Sequence, residues 1–383
     1  MNVTETKYIL FAIILFALIS RLWGIGDVNN FVGDESEFIP AAENFMETGM
    51  TVPPTAWLHP PMNYFLTYSS IKAFGRNPYG WRMKDVILGS LSVLVLFMLA
   101  KELFKDVKIA CISSLLLAID PLHLFLSRSN YMEMSSVFFF LTALYFIVLY
   151  LKGRIASLIF GGFFLGLSAA SKWYYLLSFA FLLIFVAGHK YNEEKRRWRN
   201  LVYIFVVLVL LPLSIYLLTY YPWFKRGYDL FDLFQIQVEA YKVLQSMKLD
   251  LFANAFLRET ASSPLEWFIR PLIFGALIKT EGAWGRFFVL MGNPAIWLLT
   301  IPSLIFLVYR NRTYKDRFIT LLLVLFVSTY LQFILVRRPI FLYSALAILP
   351  FVCLSVAYLL VSLLRMFSKS VWSFRLLLLG IFI

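Results

Sequence analysis

The chain has 383 residues, of which 61% are hydrophobic and 15% charged, and its mean hydropathy is +0.76. Soluble domains are about half apolar and a quarter charged, so soluble enzymes, disordered chains and fibrous repeats are excluded and a polytopic membrane protein is implied. The 35 Lys and Arg against 22 Asp and Glu, a net charge of +13, fit basic loops held on the cytoplasmic side better than a nucleic-acid surface.

In chain order, the apolar run Tyr8–Trp23 has no small-residue cleavage site after it and reads as an uncleaved first span. Residues 25–81 form a long segment outside the membrane. Spans are expected at 82–100, 109–126, 132–151, 155–170, 173–188 and 200–220, then a second long segment over 221–287. The last spans are 287–308, 318–335 and 340–363, because about 20 apolar residues cross a bilayer. The stub Trp372–Ile383 is too short to cross alone, so the chain either ends in the membrane or continues.

With the N-terminus inside, short inner loops collect Lys101, Lys105, Lys108, the run Lys195–Arg199, and Arg310, Arg312, Lys315 and Arg317. Acidic residues gather on the other side, most densely in the first outer segment (Asp27, Asp34, Glu35, Glu37, Glu43, Glu47). That segment is where chemistry is expected. Within it, Asp34 or Ser36 can cap a short helix that Gly49 ends. Phe38, Ala41, Ala42 and Phe45 give that helix an apolar stripe. After the stiff turn at His59-Pro60-Pro61, Met62–Phe74 is too short to span and reads as a second interfacial helix. On spacing alone, Asp34-Glu35 is also ordinary helix-start decoration favoured by the macrodipole.

The segment Asp34-Glu35-Ser36-Glu37-Phe38, followed by His59-Pro60-Pro61, resembles the first lumenal loop of dolichyl-phosphate-mannose–protein mannosyltransferases, GT-C membrane glycosyltransferases. Further matches follow in order: Gly80-Trp81-Arg82 with Gly89, Arg128 through Glu133, and Ser171-Lys172-Trp173. After these come Ser263-Pro264 with Trp267, Gly292-Asn293-Pro294 with Trp297, and Arg338 with Phe341-Leu342-Tyr343 and Pro350. The resemblance covers about residues 20 to 355. Glu133 stands where the family usually has Asp, and Ser344-Ala345 replaces a His-Tyr pair. The soluble lumenal domain of eukaryotic members has no room in 221–287, so one integral-membrane module over 1–383 is expected.

The resemblance implies an all-α GT-C fold of 10–11 transmembrane helices, with interfacial helices in the first outer segment and an extracytoplasmic active site in the cell membrane. It implies transfer of a sugar, mannose first, from a polyprenyl or dolichyl phosphate to a protein Ser or Thr hydroxyl. Such a reaction needs a base for the acceptor hydroxyl but no strong acid, because the phosphate leaves readily. The family's catalytic Asp falls on Asp34, and Glu35 is the helper that orients Asp34 or the acceptor. Arg82, Lys172 and Arg338 are candidates for the donor phosphate; Arg82 also reads as a snorkelling anchor and Lys172 as an interface marker. His59, Arg128, Glu133 and Asn293 are expected to support the site, with Arg128 and Glu133 as mutual partners. One base and a phosphate leaving group imply inversion. A retaining route would need a second nucleophilic carboxylate close by, for which Glu37 is the candidate.

His59, His123 and His189 lie in separate regions, and Cys111 and Cys353 sit in apolar runs, so no metal cluster or disulfide framework is visible. No cofactor is expected to be required. Since some GT-C relatives bind a divalent ion, His59 is the residue that would join one. Trp267, Trp284 and Tyr228 read as packing or as stacking surfaces for sugar or peptide. The expected partners are the lipid-linked sugar, an acceptor protein or glycan and the bilayer, without nucleic acid; the sequence leaves the oligomeric state open. The rival enzymatic reading modifies a lipid or glycan, as aminoarabinose transferases do. The rival non-enzymatic reading is a lipid transporter, which would bury charges at the midplane.

Overall fold

The computed structural model describes residues 2–49, 58–193, 197–246, 261–269, 275–278, 286–289 and 291–367. Trp284, Lys195 and Arg196 of the basic run, and the stretch from 372 onward lie outside the described residues.

Short polar side chains set many helix starts. Asn2 and Glu5 form a reciprocal capping box at the head of α1 (Val3–Leu22). Asn77 accepts two backbone N–H groups where α4 (Pro78–Phe104) begins. Between them, α2 (Glu35–Thr48) and α3 (Met62–Phe74) are the two short helices expected in the first outer segment. Phe38, Ala41, Ala42 and Phe45 of α2 bury against Tyr64 and Met132, as the apolar stripe predicts. Gly49 ends α2 at φ 70°, and a Cβ there would stand 2.5 Å from the Pro222 carbonyl oxygen. Only glycine suits both the left-handed backbone and that approach, so the end of α2 rests directly on the second long segment.

The remaining elements follow the hydropathy. They are α5 (Val107–Ile119), α6 (Pro121–Leu126), α7 (Met132–Leu151), α8 (Ser157–Ser171) and α9 (Leu176–Glu193), then α10 (Arg197–Phe205) running through a π-helical turn into α11 (Leu211–Leu218). Pro212, which has no N–H for the ladder, follows that turn and accounts for the shifted register. Next come α12 (Tyr221–Lys225), α13 (Leu230–Ser246), α14 (Glu266–Ile269), α15 (Pro294–Leu298), α16 (Thr300–Tyr314) and α17 (Arg317–Leu335). The last is α18 (Leu349–Met366), after a 3-10 turn over Leu342–Ala347.

By length and composition seven helical stretches, with α10–α11 and α15–α16 each counted as one, can cross a membrane, and three shorter apolar helices accompany them. Seven of the ten expected spans therefore meet that length and composition, and the other three coincide with the shorter apolar helices. The departure from an all-helical chain is small: β1 (Gly275–Ile278) pairs antiparallel with β2 (Arg286–Val289) inside the second long segment. Helices that share a lipid solvent gain little from the hydrophobic effect, so close backbones and polar contacts join them. The Ser168 hydroxyl of α8 donates to the Ser136 carbonyl of α7 at 3.0 Å. Ser178 of α9 and Thr329 of α17 join hydroxyls at 2.8 Å.

Candidate active site

The head of α4 meets the start of α2 through a buried ion pair. Arg82 is 3% exposed and Glu35 0%. Arg82 Nε and Nη2 donate to the two Glu35 carboxylate oxygens, both at 2.8 Å. Its other three N–H groups donate to the carbonyls of Ile25 (2.9 Å), Val28 (2.9 Å) and Asn30 (3.0 Å). Glu35 also accepts the backbone N–H of Val32 (2.9 Å) and of Asn130 (3.0 Å). An arginine has five donors, and all five are taken by the protein. Arg82 therefore has none left for a phosphate, and Glu35 holds this clasp instead of orienting Asp34. Both expectations are corrected by the same pairing: the clasp folds residues 25–35 around the head of α4.

A second buried pair forms at the start of α7. Glu133 Oε1 accepts from Lys172 Nζ and from the Tyr174 hydroxyl (2.8 Å), which in turn accepts from Ser344 at 2.9 Å. Glu133 thus pairs with Lys172 and not with Arg128, whose guanidinium donates to the Trp23 carbonyl. Lys172 Nζ also stands 4.6 Å from the Tyr174 ring centre and 5.5 Å from that of Tyr343, a cation–π setting. A third pair joins neighbours on α4, Lys84 Nζ chelating both Asp85 oxygens at 2.7 and 2.8 Å. Sequence reasoning passed over it, although two adjacent charges inside an apolar run were a visible signal.

Three pairs close, and among the described residues Asp34 has no such cation partner. It begins α2 with αR backbone and makes no side-chain capping bond, so its carboxylate is not occupied by the helix it precedes. Desolvation, then the neighbouring Glu133 charge, push this carboxyl up to about 7, against the opposing pull of Lys172. Among the described residues Arg338 is likewise a cation without a carboxylate partner. It lines a cavity of about 580 Å³ together with His59, Lys172, Tyr343 and Ser344. Leu176, Leu177, Ala180 and Leu335 line the same cavity, and Leu176 and Leu335 are 49% and 65% exposed on the outer surface of the bundle. The cavity thus has a cationic end and an apolar end. Burial, and then Lys172 and Arg338, hold His59 well below its ordinary pKa, so the ring is neutral at neutral pH. A second cavity of about 770 Å³ lies on the other side of Arg338, against Ser262, Ser263 and Pro264.

Asn293 sits elsewhere. Its side chain caps α15 by accepting from Ala295 and Ile296, and its backbone N–H donates to Asp120, which also accepts from the Trp297 indole. The Gly-Asn-Pro segment is thus a fixing point between α6 and α15, not part of the open site. Trp267 is 1% exposed and donates to Ser262, a packing residue. Trp223 and Tyr228 stack at 4.0 Å near the end of α2. Asn130 is a contributor that sequence reasoning missed: besides holding Glu35, its amide donates to Thr67 (3.0 Å) and to the Trp81 carbonyl (2.9 Å). Among the described residues no group of three or more His, Cys, Asp or Glu stands where it could hold a metal ion.

The fold is shared with solved membrane glycosyltransferases. ArnT from Cupriavidus metallidurans bound to undecaprenyl phosphate matches with a TM-score of 0.60 at 15% identity, over 93% of this chain and 60% of that one. The S. cerevisiae Pmt1-Pmt2 O-mannosyltransferase complex bound to its sugar donor matches with a TM-score of 0.52 at 21% identity, over 59% of this chain and 34% of that one. These likenesses establish the GT-C fold of an integral membrane protein. In sequence, the polyprenol-phosphate-mannose–protein mannosyltransferase of Mycolicibacterium smegmatis is 24% identical over 421 aligned residues, covering 90% of this chain and 80% of that enzyme. The family model described as dolichyl-phosphate-mannose-protein mannosyltransferase matches residues 11–228, more than half of the chain, and the chain belongs to that family.

Proposed function

We propose that the chain transfers a mannosyl group from a polyprenyl phosphate to a Ser or Thr hydroxyl of an exported protein, on the extracytoplasmic side, with all of 1–383 acting as one membrane module. The observation that carries this reading is the charge pattern of the site. Among the described residues, the carboxylates Glu35, Asp85 and Glu133 are each paired with a cation, and Asp34 is not. Beside it, the cavity offers Lys172, Arg338 and neutral His59 to an anionic headgroup and apolar side chains to a lipid chain. The names of the matched relatives support the choice of mannose and of a protein acceptor.

In this reading the acceptor hydroxyl gives its proton to Asp34 as its oxygen attacks the anomeric carbon. The bond from that carbon to the phosphate oxygen breaks, the electron pair leaves with polyprenyl phosphate, and the configuration inverts. Lys172 and Arg338 hold the departing phosphate charge as fixed cations beside it. A carboxyl near 7 suits a base working at neutral pH, since it is basic enough to take the proton and largely ionised above that value.

The test is incubation of the purified protein in lipid nanodiscs with polyprenyl-phosphate mannose and a Ser/Thr-rich peptide, read by mass spectrometry. One hexose on the peptide with release of polyprenyl phosphate is expected. Transfer to a lipid or glycan acceptor but never to peptide, or no turnover with any polyprenyl-phosphate hexose, overturns the reading.

A further inference from the structure

We propose that Glu133 reads the transferred sugar, its Oε2 oxygen accepting a hydroxyl of the hexose ring. The inference rests on the proposed function and adds a recognition element to the same site. The two oxygens of this carboxylate are unequal. Oε1 takes both Lys172 and the Tyr174 hydroxyl, whereas Oε2 is buried and has no hydrogen-bond partner among the described residues. The residue is 0% exposed, and a buried carboxylate oxygen without a donor is costly unless something supplies one. The carboxylate is thus held at one oxygen and unpaired at the other.

Geometry identifies the donor. Direct displacement places the acceptor hydroxyl, the anomeric carbon and the phosphate in line, with Asp34 at one end and Lys172 and Arg338 at the other. Glu133 is bonded to Lys172 at the phosphate end, and its charge acts on Asp34 at the other. Tyr174 and Ser344, which continue its hydrogen-bond chain, line the donor cavity with Lys172. A group flanking the line between base and phosphate faces the hexose ring, whose hydroxyls are the donors that an unpaired carboxylate oxygen lacks. A site built to bond a substrate hydroxyl rejects the analogue without it, because the protein group is then left buried and unpaired.

The experiment compares polyprenyl-phosphate mannose with the series of singly deoxygenated mannosyl donors, using wild-type protein and Glu133→Gln. In the variant, Lys172 and Tyr174 are donors and hold the amide oxygen at the Oε1 position, so an NH2 group replaces the Oε2 acceptor. Wild type is expected to lose about 10- to 100-fold in kcat/KM on one deoxygenated donor, the range for a hydrogen bond to a charged group, and Glu133→Gln to lose that discrimination. Tyr174→Phe, which weakens the anchor on Oε1 and leaves Oε2 unchanged, should slow transfer but keep the ranking. Glu133→Asp keeps the charge and withdraws the oxygen by one methylene; if the Gln variant does not fold, it should shrink the discrimination. An active wild type whose donor ranking survives in Glu133→Gln or Glu133→Asp overturns the inference alone. A wild type that turns over no lipid-linked hexose overturns it together with the proposed function.

Discussion

Replacing Arg82 by Met separates a structural clasp from a phosphate-binding role. The substitution keeps a long side chain of similar reach and removes five donated hydrogen bonds. It leaves the Glu35 carboxylate, 0% exposed, without its cation. Breaking a buried ion pair from one side costs about 3–5 kcal/mol. The freed carbonyls of Ile25, Val28 and Asn30 belong to the same network, so their loss is not added separately. A cost of that size lowers the unfolding midpoint on the order of 10 °C, measured by tryptophan fluorescence of the protein in detergent. The double variant Arg82→Met with Glu35→Leu removes both charges and should recover much of the loss. Protein that remains folded should bind polyprenyl phosphate with wild-type affinity. An unchanged midpoint with at least a tenfold rise in donor KM would place Arg82 on the phosphate and refute the clasp.

Two further expectations follow from the open site. With the Asp34 carboxyl at about 7 and the deprotonated form required as base, kcat/KM should rise about tenfold per unit of pH below 7 and level off above it. Because Glu133 raises that carboxyl and Lys172 lowers it, the midpoint should fall in Glu133→Gln and rise in Lys172→Met; a profile that falls between pH 6 and 8 contradicts the assignment. Arg338→Met removes a cation that has no carboxylate partner among the described residues, so donor KM should rise at least about tenfold, the value of one charged contact, with little change in unfolding temperature. Lys172→Met strands Glu133 and should lose both donor affinity and stability; equal unfolding temperatures for the two variants would sink that distinction.

The spans were legible because a bilayer imposes one length and one composition on every crossing segment. The apolar stripe of α2 and the short run of α3 were legible for the same kind of reason, a helical period over a surface. Side-chain roles were less so. Glu35 and Arg82 are 47 positions apart and Glu133 and Lys172 are 39 apart, and nothing local in the sequence says which acid meets which base. Ordered motif matches singled out residues from distant elements but assigned Arg82 to the ligand and Asn293 to the site. Only the fold shows that Arg82 has no donor left and that Asn293 is a cap tied to Asp120. The hairpin of β1 and β2 carried no sequence signal that separated it from its apolar surroundings.

The most direct measurement is single-turnover transfer from polyprenyl-phosphate mannose by Asp34→Asn, in protein shown to bind the donor. With binding intact and the base removed, the rate of hexose transfer should fall by about 10²- to 10⁴-fold, the usual contribution of general-base catalysis. Transfer at the wild-type rate by that variant would contradict the central role of this carboxylate.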